Sequence, residues 1–179
     1  MLYIFEKKSS KKSRFFYLVF GLVATYFNRQ LVDAFQLQFH HQIDNKYIFQ
    51  DLLSILYSNG QPTFLSTVLS FSLTVVVGPI LEELIHRGYF MNTFFPQSKY
   101  YLDVILSALI FGLSHLILTH RDPISLIIYS FVGLFFALVY RWTKNLKITI
   151  LCHSFFNFLI YAKPIWIFVY NYVYYHFLR

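Results

Sequence analysis

The chain of 179 residues is poor in charge, in acidic residues and in cysteine. Only 13% of its residues are charged, about half the share usual in soluble domains, whereas 57% are hydrophobic and 22% aromatic. This composition argues against a soluble domain. The single cysteine, Cys152, excludes an internal disulfide framework. Glutamate is scarcer than lysine or arginine, and the sequence contains only Glu6, Glu82 and Glu83.

The apolar residues form runs long enough to cross a bilayer, which takes about 20 residues each. They predict an all-α, polytopic transmembrane helical bundle of about six spans, at residues 15–35, 63–94, 100–118, 124–142, 147–162 and 164–178. Turn-forming segments separate the runs: SNGQP at 58–62, Pro96, HRDP at 120–123, TKN at 143–145 and Lys163-Pro164. Residues 46–57 suit either a short interfacial helix or a packed connector. We expect a single transmembrane domain over 15–179, with its core at about 63–162.

Lysine and arginine are concentrated on one predicted side of the bundle. Five of the fifteen lie between Lys7 and Arg14, which predicts a basic cytoplasmic segment over 1–14. With six spans, eleven fall on the cytoplasmic side and four on the other, as the positive-inside rule requires. The predicted partners are therefore anionic lipid headgroups, and no nucleic acid is expected. No small-residue cleavage site follows the first apolar run, which favours an uncleaved span.

Ionisable side chains within the apolar helices are costly and usually mark a functional site. The first such segment is EELIHR, at 82–87. Glu83 and Arg87 lie one helical turn apart and can form an ion pair. Glu82 then has no partner in its own segment, and a carboxylate facing a cavity is a candidate general base. The alternative is that these charges only join helices together.

Two further polar segments are FGLSH (111–115) and HSFFN (153–157). His115 is either a hydrogen-bonded core residue or part of a site. His153 and Asn157 lie one turn apart and offer two donors of the kind that an oxyanion needs, although such a pair can also join helices. At 1.5 Å of rise per residue, His153 would lie about 9 Å from the cytoplasmic end of its helix and His115 about 24 Å, so helix tilt is needed to bring them together.

Other chemistries fit the residues less well. A mononuclear zinc site with two histidines and one glutamate stays possible. A di-iron site lacks a second Glu-x-x-His, since Glu83 and His86 form the only one. Ser114, Ser154 and Cys152 adjoin motif histidines, but adjacent residues of a helix point about 100° apart. Transport has little support without inverted repeats.

The three segments together resemble the CPBP family of membrane proteins, which comprises the type II CAAX prenyl endopeptidases and the bacterial Abi proteins, including bacteriocin-processing and self-immunity members. The family pattern is Glu-Glu-x-x-x-Arg, then Phe-x-x-x-His, then His-x-x-x-Asn. This chain has all three in order, as Glu82-Glu83 with Arg87, Phe111 with His115, and His153 with Asn157. The resemblance covers about 79–160. One departure is His86, where the family usually has an aromatic residue; it lies one turn from Glu82 and could hydrogen-bond that carboxylate.

The resemblance implies a role for each matching residue. Glu82 and His115 would activate the attacking water, and His153 with Asn157 would stabilise the tetrahedral oxyanion. The remaining pair, Glu83 and Arg87, would support them. No cofactor is implied. The implied reaction is metal-independent, glutamic-type hydrolysis of a membrane-associated peptide or protein.

The resemblance also implies a location, and three alternatives to proteolysis of the glutamic type stay open. We expect an integral protein of the bacterial plasma membrane, with a site reached from the cytoplasm and a role in bacteriocin processing or self-immunity. A non-catalytic immunity protein that binds a bacteriocin-like peptide is the main alternative. A zinc-dependent membrane protease and a scaffold whose polar motifs only hold the bundle together are the others.

Overall fold

Five helices make up the part of the chain that this computed structural model describes, namely residues 11–38, 63–118 and 123–174 together with residues 58 and 177. They are α1 (Lys11–Gln38), α2 (Phe64–Thr93), α3 (Leu102–Leu118), α4 (Pro123–Thr143) and α5 (Leu146–Val173). These ranges contain no β-strand. The prediction of an all-α protein is confirmed.

Large apolar side chains face outward on all five helices, for example Phe15, Phe64, Ile117, Trp142 and Leu151. Helices α1, α2 and α4 are long and apolar enough to cross a membrane, while α3 and the first part of α5 are shorter apolar helices. An apolar exterior of this kind suits lipid as the surrounding solvent. This confirms an integral membrane protein.

The predicted fifth and sixth spans form one helix, α5. The break expected at Lys163-Pro164 does not occur, because the backbone stays helical from Leu146 to Val173. Proline removes one backbone donor, but a helix can accommodate that loss. The breaks predicted at Pro96 and at 143–145 do separate helices. The connector at 46–57, most of SNGQP and residues 120–122 lie outside the described residues.

Helix α2 changes its hydrogen-bonding pattern twice. Its α-helical turns are interrupted by π-helical segments at Leu73–Val77 and Leu84–Phe90, on either side of Gly78–Glu83. A π-helical turn inserts a residue into the α-helical pattern and rotates the residues after it about the helix axis, and such turns are frequent at functional sites. Glu82 and Glu83 therefore lie on a short α-helical stretch with altered geometry at both ends.

Short links and close contacts hold α3, α4 and α5 together. Lys144 has a φ of 49°, which allows α4 to end and α5 to start within two residues. Asn145 then caps α5 by accepting the Ile148 N–H at 3.3 Å. At Gly133 a Cβ atom would lie 3.0 Å from the Phe111 side chain, so glycine permits the close packing of α3 on α4.

The apolar core lies beside this contact and extends to α1. It contains residues of α1, α3, α4 and α5, which in chain order are Val32, Phe111, Ile128, Val132, Phe136, Val139, Ile148, Cys152 and Phe156. The polar side chains of the three motifs are therefore surrounded by aromatic and aliphatic groups.

Candidate active site

The predicted site residues come from three helices and meet inside the bundle. Helix α2 contributes Glu82, Glu83 and Arg87, α3 contributes His115, and α5 contributes His153 and Asn157. All except Glu82 are buried, and the Glu82 side chain is 27% exposed. The polar residues singled out by the sequence therefore cluster in space.

Glu83 lies at the centre of a buried polar network. Its Oε1 atom accepts hydrogen bonds from Arg87 Nη1 at 3.0 Å and from His153 Nδ1 at 2.8 Å. The other terminal nitrogen of Arg87 donates to the Gly133 carbonyl at 2.6 Å, and its guanidinium lies 4.8 Å from the centre of the Phe111 ring. The predicted ion pair is confirmed, and it joins α2 to α4 and α5.

Glu82 faces two imidazole rings. Its Oε2 atom lies 3.7 Å from Nε2 of His115 and 3.7 Å from Nε2 of His153. These distances are too long for direct hydrogen bonds. Within the described residues this buried oxygen has no hydrogen-bond partner. A group that bridges such a gap must supply donors to Glu82.

The other nitrogen of each ring fixes the hydrogen-bonding role of Nε2. His115 Nδ1 lies 2.9 Å from the Phe111 carbonyl, and His153 Nδ1 lies 2.8 Å from the Glu83 carboxylate. Since both oxygens only accept, each Nδ1 donates, and in a neutral imidazole Nε2 is then an acceptor. With neutral rings, two imidazole acceptors therefore face Glu82 Oε2, which itself only accepts. Water or a bound proton would donate to this oxygen.

Aromatic rings hold both imidazoles in place. His115 stacks on Tyr129 with 4.3 Å between ring centres, and His153 stacks on Phe136 at 4.4 Å. Phe111 lies between the histidines, 4.4 Å from His115 and 5.8 Å from His153. Side chains packed in this way keep a fixed orientation, which a reactive site requires.

Asn157 is bound to α2 at the first π-helical segment. The Gly78 N–H bonds to the Leu73 carbonyl, five residues earlier, and the next residue, Pro79, has no N–H to continue that pattern to Thr74. The Thr74 carbonyl accepts instead from Asn157 Nδ2 at 2.9 Å. An amide nitrogen has two N–H groups, so this bond uses one of the two.

His86 contacts the backbone of Glu82 rather than its carboxylate. Its Nδ1 atom lies 2.8 Å from the Glu82 carbonyl, and its ring meets the Phe111 ring edge-on at 5.2 Å. The ring is buried among helices. The hydrogen bond suggested by the sequence therefore goes to the carbonyl oxygen of the same residue.

A small cavity of about 20 Å³ adjoins the two histidines. That volume is close to the minimum that holds one water molecule. Its polar lining consists of Arg29, His115, Tyr129, His153 and Asn157. A single water molecule placed here would contact the imidazoles.

Metal binding was the other chemistry open to these residues. Across residues 11–38, 63–118 and 123–174, no three His, Cys, Asp or Glu side chains are grouped in a way that could hold a metal ion. A zinc site with two histidines and one glutamate would have to draw its ligands from Glu82, Glu83, His86, His115 and His153. Removal of metal with a chelator tests that hypothesis directly.

Several residues of the site were not found by reading the sequence. Two of them, Gly133 and Thr74, act through a backbone carbonyl, and two others, Tyr129 and Phe136, act through an aromatic ring. Neither feature stands out in an apolar sequence. Arg29 was counted only as a charge for orientation, yet it lines the cavity.

Comparison with known proteins gives matches along the helices that form the site. The sequence model of the family described as type II CAAX prenyl endopeptidase Rce1-like matches residues 64–159. The chain is 33% identical over 82 residues to "Putative membrane peptidase YdiL" of Bacillus subtilis and 31% identical over 88 residues to "Membrane-embedded CAAX protease MroQ" of Staphylococcus aureus. Each match covers 46% of this chain.

A longer match joins the chain to a protein of Mycoplasma capricolum whose name states no function. The two are 27% identical over 143 residues, or 79% of this chain. The matches cover 32% of the Bacillus protein, 34% of the Staphylococcus protein and 41% of the Mycoplasma protein, so the chain spans between about a third and two fifths of their length. No solved structure matches the chain.

Proposed function

Because the chain belongs to the type II CAAX prenyl endopeptidase Rce1-like family, we propose that it is a membrane-embedded endopeptidase of the glutamic type. Its substrate would be a membrane-associated peptide or protein. The observation that carries the proposal is the position of Glu82 Oε2, which is 3.7 Å from two imidazole nitrogens and has no hydrogen-bond partner in the described part of the chain. Water is a donor that suits this gap.

In the proposed first step, water bound beside Glu82 and His115 attacks the carbonyl carbon of the scissile bond. The carboxylate takes one proton from the water as the new carbon–oxygen bond forms. His115 Nε2 accepts the other hydrogen bond of that water, because its Nδ1 already donates to the Phe111 carbonyl. A positioned base of this kind contributes about 10²- to 10⁴-fold in rate.

The carbonyl oxygen becomes negatively charged in this step and needs donors. We assign that role to Nε2 of His153 and to the second N–H of Asn157. His153 can donate from both nitrogens only as an imidazolium, and the Glu83 carboxylate at 2.8 Å stabilises that positive charge. When the carbon–nitrogen bond breaks, protonated Glu82 returns its proton to the leaving amine.

Glu83 and Arg87 take no part in bond making in this scheme. They fix His153 and connect three helices, since Arg87 also donates to the Gly133 carbonyl. Both side chains are fully buried, and a buried charge without a partner is costly. Each therefore needs the opposite charge of the other.

We further propose that the protein lies in a bacterial plasma membrane with the site reached from the cytoplasm. The named relatives are bacterial. If the five helices cross in alternating directions, the links at 94–101 and 144–145 lie on the same side as the basic segment at 1–14. Lys99, Arg141, Lys144 and Lys147 then add to the positive charge on that side, as expected for the cytoplasm.

The test is cleavage of fluorogenic, N-acylated peptide libraries by the purified full chain in lipid nanodiscs. We expect Glu82→Gln to lower the rate by about 10²-fold or more, as loss of a general base requires. Glu6→Gln serves as the matched control, because Glu6 is the one glutamate outside the motifs. Cleavage that survives Glu82→Gln would show that the proposed base is wrong.

Two additional measurements separate the alternatives. A zinc enzyme loses activity when a chelator removes its metal, whereas we expect cleavage to persist in excess chelator. The second measurement is the survival of cells exposed to a bacteriocin-like peptide. If cells that produce folded Glu82→Gln protein stay protected, the non-catalytic immunity function is favoured over a role in bacteriocin processing.

A further inference from the structure

His86 is a buried side chain of α2 to which the proposed reaction assigns no role. It is 4% exposed and lies one helical turn after Glu82. An ionisable residue inside a membrane-spanning helix indicates a functional site by default. The contacts of His86 indicate which role it has beside that glutamate.

The first contact of His86 is made where α2 changes its hydrogen-bonding pattern. The Leu84 N–H bonds to carbonyls three and four residues earlier, whereas the Met91 N–H bonds to the His86 carbonyl, five residues earlier. The Glu82 carbonyl lies between these two patterns and accepts from Nδ1 of His86 at 2.8 Å. A carbonyl only accepts, so Nδ1 is the donor whether the ring is neutral or protonated. The side chain thereby holds the backbone of Glu82 at the start of a π-helical turn.

Two further contacts join His86 to helix α3. Its ring meets the Phe111 ring edge-on with 5.2 Å between centres, and its carbonyl accepts from Ser107 Oγ at 3.3 Å. Both α3 residues are fully buried. Phe111 also contacts His115, because its carbonyl accepts from Nδ1 of that residue at 2.9 Å and the two ring centres are 4.4 Å apart. One aromatic residue therefore packs against both histidines.

These contacts form a closed circuit around the gap to which we assign the attacking water. The circuit runs from the Glu82 carbonyl through the His86 ring to Phe111. From Phe111 it continues to His115, whose Nε2 atom faces the Glu82 carboxylate across 3.7 Å. All steps but this last one are hydrogen bonds or packed rings. The packed steps therefore set the width of the open one.

We propose that His86 is a positioning residue, which holds Glu82 at the distance from His115 that lets one water molecule bridge them. It acts through the backbone of Glu82 and not on the substrate. Precise placement matters here, because a displacement of about 1 Å can lower a rate by about a hundredfold. This inference rests on the proposed function, in which Glu82 is the general base, and it adds the residue that keeps this base in place.

The experiment separates the donor of His86 from its ring and has two readouts, both on the full chain in nanodiscs. His86→Phe keeps a ring against Phe111 but has no donor. His86→Asn loses the ring but keeps a donor, since its amide nitrogen is as many bonds from the backbone as Nδ1. The first readout is kcat and KM for a peptide that the wild type cleaves. The second is carbon-13 NMR of labelled glutamate carboxyl groups, which needs no cleavage.

The NMR readout is simple because the sequence contains only three glutamates, and Glu82→Gln and Glu6→Gln assign their signals. We expect His86→Phe to lower kcat by about tenfold or more with KM within about twofold, since a misplaced base affects the transition state and not substrate binding. The same variant should broaden or split the Glu82 signal. His86→Asn should restore a single signal and bring kcat to within about threefold of the wild type.

Asn92→Leu is the matched control within the second π-helical segment. The Asn92 side chain also donates to carbonyls of this segment, those of Arg87 and Gly88, at 2.9 and 2.8 Å. These bonds lie outside the circuit. We therefore expect Asn92→Leu to lower stability but to leave kcat and the Glu82 signal as in the wild type.

A single, sharp Glu82 signal in His86→Phe would overturn the inference, as would an unchanged kcat in that variant. So would His86→Asn protein that is as impaired as His86→Phe, or the same changes in Asn92→Leu. If His86→Phe does not fold, His86→Leu replaces it with the same expected results, because leucine also lacks a donor. If the wild type cleaves no peptide, the proposed reaction is rejected, and the Glu82 signal alone then decides whether His86 positions this carboxylate.

Discussion

Substitution of either adjacent glutamate of α2 by glutamine should change the stability of the fold by very different amounts. Glu83→Gln removes the negative charge opposite Arg87 inside the bundle, where both side chains are 0% exposed. Removing one partner of a buried ion pair costs about 3–5 kcal/mol. The glutamine oxygen still accepts one hydrogen bond, so we expect a loss of about 3 kcal/mol in the free energy of unfolding. Glu82→Gln removes a partly exposed carboxylate whose Oε2 atom has no hydrogen-bond partner among the described residues. It should change that free energy by about 0.5 kcal/mol or less.

Unfolding of the two variants in mixed micelles with increasing SDS, followed by tryptophan fluorescence and circular dichroism, measures both values. A third variant, Glu83→Gln with Arg87→Met, should recover part of the loss, since the uncompensated cation is gone. Equal destabilisation by the two single substitutions would refute the reasoning. So would a double variant whose loss is the sum of two independent losses.

Three further predictions concern packing, hydrogen bonding and pH. Gly133→Ala should lower the free energy of unfolding by about 1–3 kcal/mol, because the new methyl group pushes α3 away from α4. Gly88→Ala should be tolerated, since its methyl group would lie 3.4 Å from the nearest neighbour. Thermal unfolding compares the two variants. Pro79→Ala supplies an N–H to the carbonyl that accepts from Asn157, and we expect cleavage to fall with stability retained; an unchanged rate would contradict this. Burial and the neighbouring Arg141 guanidinium lower the pKa of Lys144. Just below the ordinary lysine pKa, the unfolded chain therefore binds more protons than the folded one, and the free energy of unfolding should rise with pH in that range. Unfolding scans at several pH values should show this rise in the wild type but not in Lys144→Met.

The sequence predicts which residues meet but not how they meet. Ionisable side chains in apolar helices mark candidate site residues. That Glu82, His115 and His153 belong to one site was implied only by the resemblance to the CPBP family. The depth estimate for upright helices separated the two histidines by about 15 Å. In the structure, Nε2 of each lies 3.7 Å from the same carboxylate oxygen. Crossing angles and the π-helical turns of α2 decide this, and neither follows from hydrophobic periodicity.

Two other differences have equally local causes. The break expected at Pro164 assumed that proline ends a helix, whereas the backbone stays helical through Pro164, from Leu146 to Val173. Arg29 was counted only as one of the four charges on the side away from the cytoplasm. The spacing of Thr25, Asn28 and Arg29 within an apolar helix was the available signal, because polar residues three and four apart share one face.

The long sequence separation between the halves of the polar cluster has a consequence for biosynthesis. His153 bonds to a carboxylate 70 residues earlier, and Asn157 bonds to a carbonyl 83 residues earlier. A ribosome delivers α2 to the membrane before α5 exists, because folding during synthesis starts from the N-terminal side. In that interval the glutamates are present without the donors of α5. In the proposed reaction His153 and Asn157 supply the oxyanion donors, so we expect no cleavage of neighbouring nascent chains before α5 docks and completes the bundle.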